Sequence, residues 1–95
     1  MPAHEHLSTM FHGTHPALEQ RIVAEGLKAH NLNQEGMLGE GVTKAVFLTP
    51  DKEEAQEYGK KVFSVNTQGL NLIPVEGPYG LHYASPEDIP SHRIQ

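Results

Sequence analysis

The sequence predicts a small α+β domain with five or six short, mostly antiparallel strands and two short helices. Short apolar runs alternate with turns that use nine glycines and seven prolines, which favours short strands over a helical bundle. Two stretches carry helix-start signals, and no regular strand-helix-strand repeat is present. A chain of 95 residues fits a single domain, which we expect at residues 9–95 behind a flexible N-terminal tail at residues 1–8.

Composition limits the classes of function. A formal net charge of −5 argues against broad contact with DNA or RNA, which relies on many Lys and Arg contacts to phosphates. The sequence has no cysteine, so disulfides, thiolate metal sites and a cysteine nucleophile are excluded. It shows neither the apolar core of a signal peptide nor a membrane-spanning run, and we expect a cytoplasmic monomer without a membrane partner.

The first predicted strand is Thr9-Met10-Phe11, which leads into Phe11-His12-Gly13-Thr14. Gly13 lets another group approach the main chain closely, and Thr14 is in position to cap a helix that starts near Pro16. A ring nitrogen beside open main chain is a place to seat a ligand. The alternative is an ordinary strand-to-helix turn with a half-buried histidine.

The first helix is predicted over residues 16–25, with Gly26 as the left-handed residue that ends it. Its apolar positions and the residue after Gly26 are expected to enter the core, namely Leu18, Ile22, Val23 and Leu27. Residues 28–44 then lose all periodicity. Ordering so long a loop costs backbone entropy, so it is either a lid or substrate-facing loop, or a disordered surface excursion.

The second half contains the most distinct strand, residues 45–48, and a second helix. Thr49 is the expected cap of this helix, Pro50 its first residue and Gly59 its end, with Ala55 and Tyr58 on its inward face. Further strands are predicted at residues 61–66, 70–75 and 81–84, with a final edge strand at 89–94.

Four histidines, His4, His6, His12 and His15, lie close together in the sequence. No carboxylate or cysteine completes a known ligand spacing with them, so the sequence predicts no metal site.

Three separated pieces resemble the ADP-ribosyltransferase fold, the split β-sandwich of diphtheria-toxin-like enzymes and poly(ADP-ribose) polymerases. The pieces are Phe11-His12-Gly13-Thr14 with the helix end at Leu27, Val46-Phe47-Leu48-Thr49 with Ala55 and Tyr58, and Asp88-Ile89-Pro90 with Ile94. They span nearly the whole chain. Phe47 and Tyr58 also have the ten-residue separation of the two aromatic residues that clamp nicotinamide in that superfamily.

The resemblance implies that NAD is the co-substrate and that no metal takes part. His12 would hydrogen-bond a ribose hydroxyl, and Gly13, in the same turn as Thr14, would hold the carboxamide through its main chain. Phe47, in place of the commoner tyrosine, and Tyr58 would stack on nicotinamide. These roles are chemically coherent, because a planar cationic ring suits aromatic faces and a neutral imidazole both donates and accepts.

The third catalytic position departs from the resemblance, because no carboxylate stands there. It falls on Tyr83, or on His82 if the register shifts by one residue. Glu76 lies several residues earlier, across a Gly-Pro turn, and would reach the site only if that loop folded inward. All three residues stay open as the partner of His12.

The function that follows from the resemblance is NAD-dependent mono-ADP-ribosyl transfer, a glycosyltransferase reaction, to a protein or nucleic-acid acceptor. By analogy such a protein would be a toxin-like bacterial or phage effector. One alternative is a non-catalytic module of the same fold that binds a nucleotide or a partner protein. A weaker alternative is an RNA 2'-phosphotransferase, which needs several arginines, whereas this chain has only Arg21 and Arg93.

Overall fold

The computed structural model describes residues 8–32, 36, 38–39, 41–77 and 80–95, and this part of the chain has an α+β fold. Its six strands are β1 (Thr9–Thr14), β2 (His30–Asn31), β3 (Lys44–Leu48), β4 (Lys61–Asn66), β5 (Ile73–Gly77) and β6 (Gly80–Ser85). Its two α-helices are α1 (Glu19–Glu25) and α2 (Lys52–Ala55), and 3-10 turns occupy Pro16–Leu18 and Ser91–Arg93.

The strands form two antiparallel sheets. One sheet pairs β1 with β4 from Thr9 opposite Asn66 to Thr14 opposite Lys61. The other has four strands in the order β2-β3-β6-β5. The predicted α+β class, the two short helices and the upper count of six strands are therefore confirmed within the described residues.

The main core is built by side chains from both sheets and from the segments around α1. Its buried members are Met10, Ile22, Leu27, Val46, Leu48, Phe63, Val65 and Ile89. A smaller cluster of Leu38, Ala45 and Ala84 lies on the other face of the four-stranded sheet, because Ala45 and Val46 project from opposite sides of β3. Leu38 lies within residues 28–44, for which the sequence predicts a loop.

The core prediction for the first helix is half right. Ile22 and Leu27 are buried, but Leu18 and Val23 are 43% and 60% exposed. Helix α1 has seven residues, about two turns, so a single face position meets the core and its neighbours remain outside. Gly26 ends the helix with a φ of 84°, as the sequence predicts.

The cap of the first helical segment is His15 and not Thr14. Thr14 is the last residue of β1 and pairs with Lys61, so its main chain is committed to the sheet. The Nδ1 atom of His15 instead accepts a hydrogen bond of 3.0 Å from the main-chain N–H of Ala17.

The second helix also starts later than predicted. Thr49 bonds to β1 through its main chain, and Asp51 caps α2 by accepting from the N–H of Glu53 at 2.9 Å. The helix then ends at Ala55 and does not continue to Gly59.

The predicted terminal strand at residues 89–94 is wrong. Ile89 and Ile94 form single bridges, to Leu27 and to Val65, on either side of the 3-10 turn Ser91–Arg93. This segment thus bridges to two core residues without forming a continuous strand.

Part of the predicted loop at residues 28–44 is strand β2, which pairs with Lys44 and Ala45 of β3. Residues 33–35, 37 and 40, on which the lid or disorder prediction also falls, lie outside the described residues. So do residues 1–7 of the predicted tail, whereas the Ser8 carbonyl accepts a hydrogen bond from the N–H of Thr67 at 2.9 Å.

Strand β5 forms an outer edge of the four-stranded sheet, because β6 is its only partner among the described strands. Pro74 lies within it, and Pro74 and Glu76 are exposed. Within the described ranges, no helix is long and apolar enough to cross a membrane.

Candidate functional site

Strands β1 and β2 attach to the same edge of β3, at its two ends. β2 pairs with Lys44 and Ala45, whereas Phe11 of β1 exchanges two main-chain hydrogen bonds with Thr49, at 2.7 and 3.0 Å. Main-chain groups two residues apart in a strand face the same edge, so those of Phe47 face the gap between the two attachments. The fork thus leaves a gap between β1 and β2 along this edge of β3.

A cleft of about 820 Å³ opens at this fork. Its surface is mostly apolar, and its volume falls within the range of roughly 300–1,000 Å³ that is usual for small-molecule sites. The candidate residues that line it are His12, Gly13, Thr14, Phe47, Tyr58, Glu76 and His82. The structure thus brings together every candidate site residue of the sequence except Tyr83.

His12 ties the two sides of the fork together. Its Nδ1 atom lies 2.9 Å from the Phe47 carbonyl oxygen, which only accepts, so Nδ1–H donates and Nε2 remains an acceptor in the neutral ring. Burial lowers the pKa of His12 below its ordinary value of 6.5. The hydrogen bond to Phe47 partly opposes this shift, and the nearby His30 adds to it. A neutral imidazole with Nε2 as acceptor is therefore favoured at neutral pH.

The lowered pKa of His12 predicts an acid-sensitive fold. The unfolded chain takes up a proton at His12 near pH 6.5, while the folded chain resists it, so the free energy of unfolding falls as the pH drops below about 6.5. Urea unfolding from about pH 8 to about pH 5 measures this fall. His12→Asn should flatten this decline, whereas His92→Asn, at an exposed histidine, should preserve it. An unchanged slope in His12→Asn would contradict the assignment.

The main chain of Gly13 is turned toward the cleft. Phe11 bonds to Thr49, and its β4 partner Ser64 bonds to Gln95 on the far side, at 3.1 and 2.9 Å. Phe11 and Ser64 are therefore a pair without mutual hydrogen bonds, and Gly13, two residues later, has the same orientation. Its N–H and C=O point into the gap of the fork.

The missing side chain of Gly13 has a structural cause of its own. A Cβ atom at this position would overlap the carbonyl oxygen of Ala55, and a Cβ atom at Gly59 would overlap the main chain of Thr14. The sequence predicts that another group can come close to the main chain at Gly13. On this face of the strand, that group is α2 together with the turn that follows it.

Phe47 and Tyr58 are large aromatic side chains that remain exposed, by 37% and 51%. Phe47 pairs with Ala84 across the sheet, so it projects from the same face as His82, two residues away from Ala84. The Tyr58 hydroxyl lies 3.2 Å from His82 Nε2, with the two rings edge to face at 5.6 Å between centroids. Both aromatic side chains therefore belong to the wall that carries His82.

The three alternatives for the third catalytic position differ in placement. His82 is buried and lines the cleft, whereas Tyr83 projects from the opposite face of β6 and packs against the main core. Glu76 lines the cleft but is exposed, and its pairing with Leu81 directs its side chain to the opposite face from His82.

Glu54 carries a largely buried carboxylate that the sequence reasoning missed. Its Oε1 atom lies 3.5 Å from His82 Nε2, and Oε2 accepts from the Thr49 hydroxyl at 3.0 Å. The side chain is only 13% exposed, and Oε1 has no hydrogen-bond partner within the described part of the chain. The sequence places Glu54 in the acidic first turn of a helix, and its spacing of four from Tyr58 is the signal that puts both on one face.

The two arginines lie in different places. Arg21 lines the cleft, and its Nε atom lies 3.8 Å from Glu25 Oε2. Arg93 donates hydrogen bonds to the main-chain carbonyls of Asn66 and Gln68, at 3.1 and 2.8 Å. Among the described residues, no group of three His, Asp or Glu side chains is placed to hold a metal ion, while His4 and His6 lie outside them.

Comparison of the sequence with the profiles of known protein families and with curated proteins finds no match.

Proposed function

We propose that the chain is a mono-ADP-ribosyltransferase that takes NAD, releases nicotinamide and transfers ADP-ribose to a macromolecular acceptor. The observation that supports this proposal is the composition of one cleft. It combines an imidazole acceptor, strand main chain and two exposed aromatic faces, all of which the nicotinamide riboside end of NAD would use.

Each of these groups has a counterpart on NAD. His12 Nε2 accepts from a ribose hydroxyl, because Nδ1–H is already engaged with Phe47. A carboxamide has both a donor and an acceptor, which match the C=O and N–H that Gly13 turns toward the gap. Phe47 and Tyr58 supply faces for the cationic ring.

The reaction breaks the bond between ribose C1' and the nicotinamide nitrogen. Its transition state resembles an oxocarbenium ion, so the protein accelerates the reaction by holding the two ends of that bond and stabilising the developing positive charge. Nicotinamide leaves as a neutral molecule with the electron pair of the broken bond, and the acceptor oxygen or nitrogen bonds to C1' and loses its proton.

The test is incubation of the purified protein with NAD, with release of nicotinamide as the readout and calorimetry for binding. His12→Ala should weaken NAD binding about tenfold or more, since it removes a ribose hydrogen bond and opens the fork. His92→Ala, an exposed histidine away from the cleft lining, is the matched control. A wild-type protein that binds no NAD would refute the proposal.

A non-catalytic binding module is the second candidate, because no acidic side chain stands at position 82 or 83. Glu25 and Glu76 line the cleft but both are exposed, and Glu25 faces Arg21. NAD binding by calorimetry without any release of nicotinamide would favour this function.

RNA 2'-phosphotransfer is a weaker candidate. It needs several cationic side chains around a phosphate, and Arg93 is occupied with main-chain carbonyls outside the cleft. An assay on a 2'-phosphorylated oligonucleotide in the presence of NAD would decide, with loss of the 2'-phosphate from the oligonucleotide as the positive result.

A further inference from the structure

We propose that Glu54 and His82 form a buried carboxylate-imidazole pair that takes the proton from a hydroxyl acceptor through Tyr58. This inference rests on the proposed ADP-ribosyl transfer and names both its base and its acceptor class. Glu54 is a positioning residue, because it acts through His82 and does not line the cleft.

The hydrogen bonds around His82 define which nitrogen is available. Nδ1 lies 3.1 Å from the Gly80 carbonyl oxygen, which requires a proton on Nδ1. In the neutral ring, Nε2 is then an acceptor that faces the Tyr58 hydroxyl at 3.2 Å and Glu54 Oε1 at 3.5 Å. A proton that arrives at Nε2 therefore meets a carboxylate oxygen already in place.

The state of Glu54 supports a functional reason for this arrangement. Its Oε2 atom accepts a hydrogen bond from the Thr49 hydroxyl beside the start of α2. That hydrogen bond uses only one of the two carboxylate oxygens. Its Oε1 atom is buried and has no hydrogen-bond donor among the residues described. An unsatisfied buried acceptor destabilises the fold, and such groups call for an explanation such as a catalytic role. An imidazolium at His82 would supply the missing donor.

Few charged groups compete at this position. Glu54 and Tyr58 face His82 from α2 and the turn after it, and β5 places the uncharged Val75 opposite it. Within the described part of the chain, Glu54 is the ion-pair partner of His82, so its carboxylate can stabilise the protonated ring.

The step balances as follows. The acceptor oxygen forms a bond to ribose C1' while the bond from C1' to the nicotinamide nitrogen breaks, and that electron pair neutralises the leaving ring. The acceptor proton passes to the Tyr58 hydroxyl, which gives its own proton to His82 Nε2. Glu54 stabilises the imidazolium until the proton returns to water. A hydroxyl fits this base, because it must lose its proton as it attacks.

The experiment uses the full chain, NAD, and water or added methanol as the hydroxyl acceptor. Glu54→Gln keeps the shape of the side chain and removes the charge. We expect NAD affinity to stay within about twofold and nicotinamide release to fall about 10²-fold, the size of a lost base or its orienting partner. The acidic limb of the pH-rate profile should move to lower pH, because the imidazolium loses its counter-charge.

Three variants complete the design. Tyr58→Phe keeps the ring and removes the relay hydroxyl, so it should retain NAD binding and lose most of its turnover. The residual rate should no longer show the solvent deuterium isotope effect of the wild-type protein. His82→Gln should lose turnover as Glu54→Gln does. Glu53→Gln changes an exposed carboxylate in the same helix and should leave the rate and profile unchanged.

The outcomes separate this inference from the proposed function. Turnover in Glu54→Gln equal to wild type, with an unmoved pH profile, would overturn the role of Glu54 and leave ADP-ribosyl transfer intact. A second result would show that Glu54 has only a structural role. In that case turnover falls, the residual rate keeps the wild-type pH profile, and the midpoint of urea unfolding is lower. A wild-type protein that neither binds nor cleaves NAD would overturn the inference together with the proposed function.

Discussion

Gly13→Ala is expected to lower the free energy of unfolding by about 3 kcal/mol or more. The added methyl group would overlap the carbonyl oxygen of Ala55, which is main chain and cannot rotate away. Relief requires α2 to move off the end of β1, where a Cβ atom at Gly59 would also overlap the main chain of Thr14. Equilibrium unfolding in urea measures the loss, and the midpoint should fall without a change in slope.

Gly36→Ala is the matched control for the Gly13 substitution. Gly36 has open space around its would-be Cβ atom but a φ of 76°, so its cost is conformational, about 1 kcal/mol. A Gly13→Ala protein as stable as wild type, yet unable to bind NAD, would show that this glycine is kept for a ligand and not for α2.

Leu48→Ala is expected to destabilise the fold by about 2–5 kcal/mol. Leu48 is 1% exposed and is one of the largest fully buried side chains, in the core that both sheets build. Leu48 also adjoins Phe47, whose carbonyl oxygen accepts the hydrogen bond from His12. The cavity that the substitution creates therefore lies next to the fork. We expect unfolding at lower urea and, below that midpoint, weaker NAD binding.

Leu81→Ala tests whether that loss depends on burial. Leu81 is also a strand leucine but is 45% exposed, and its truncation should cost less than about 1 kcal/mol. Equal losses for the two leucines would contradict the assignment of the core.

Local pattern predicted those elements whose burial repeats along the chain. Strand β4 (Lys61–Asn66) has the bounds that its alternation predicts, because Phe63 and Val65 face the core and their neighbours do not. The end of α1 at Gly26 was likewise predictable, since a positive φ suits glycine. The exposure of Val23 could not be predicted, because periodicity does not show how much of a two-turn helix the core covers.

Features that depend on distant pairing could not be predicted. Strand β2 has only His30 and Asn31, both polar, and exists because β3 offers its edge. The candidate cleft residues His12, Phe47 and Tyr58 came from motif and spacing. Glu54 could not be found in this way, because it is buried beside His82 only once β6 has packed against α2. In the sequence it is one of several acidic residues at the start of a helix.

Pro74 has a consequence for how the molecules behave when they are crowded together. Thr49 bonds toward β1, so Leu48 bonds toward Tyr83 of β6, and Tyr83 is then left without hydrogen bonds to Pro74. The nitrogen of Pro74 thus faces outward and has no proton to donate. Within β5 only Glu76 directs an N–H to that outer edge, beside its own exposed carboxylate. A second chain that tried to extend the sheet there would gain little hydrogen bonding and meet a negative charge, which opposes edge-to-edge aggregation.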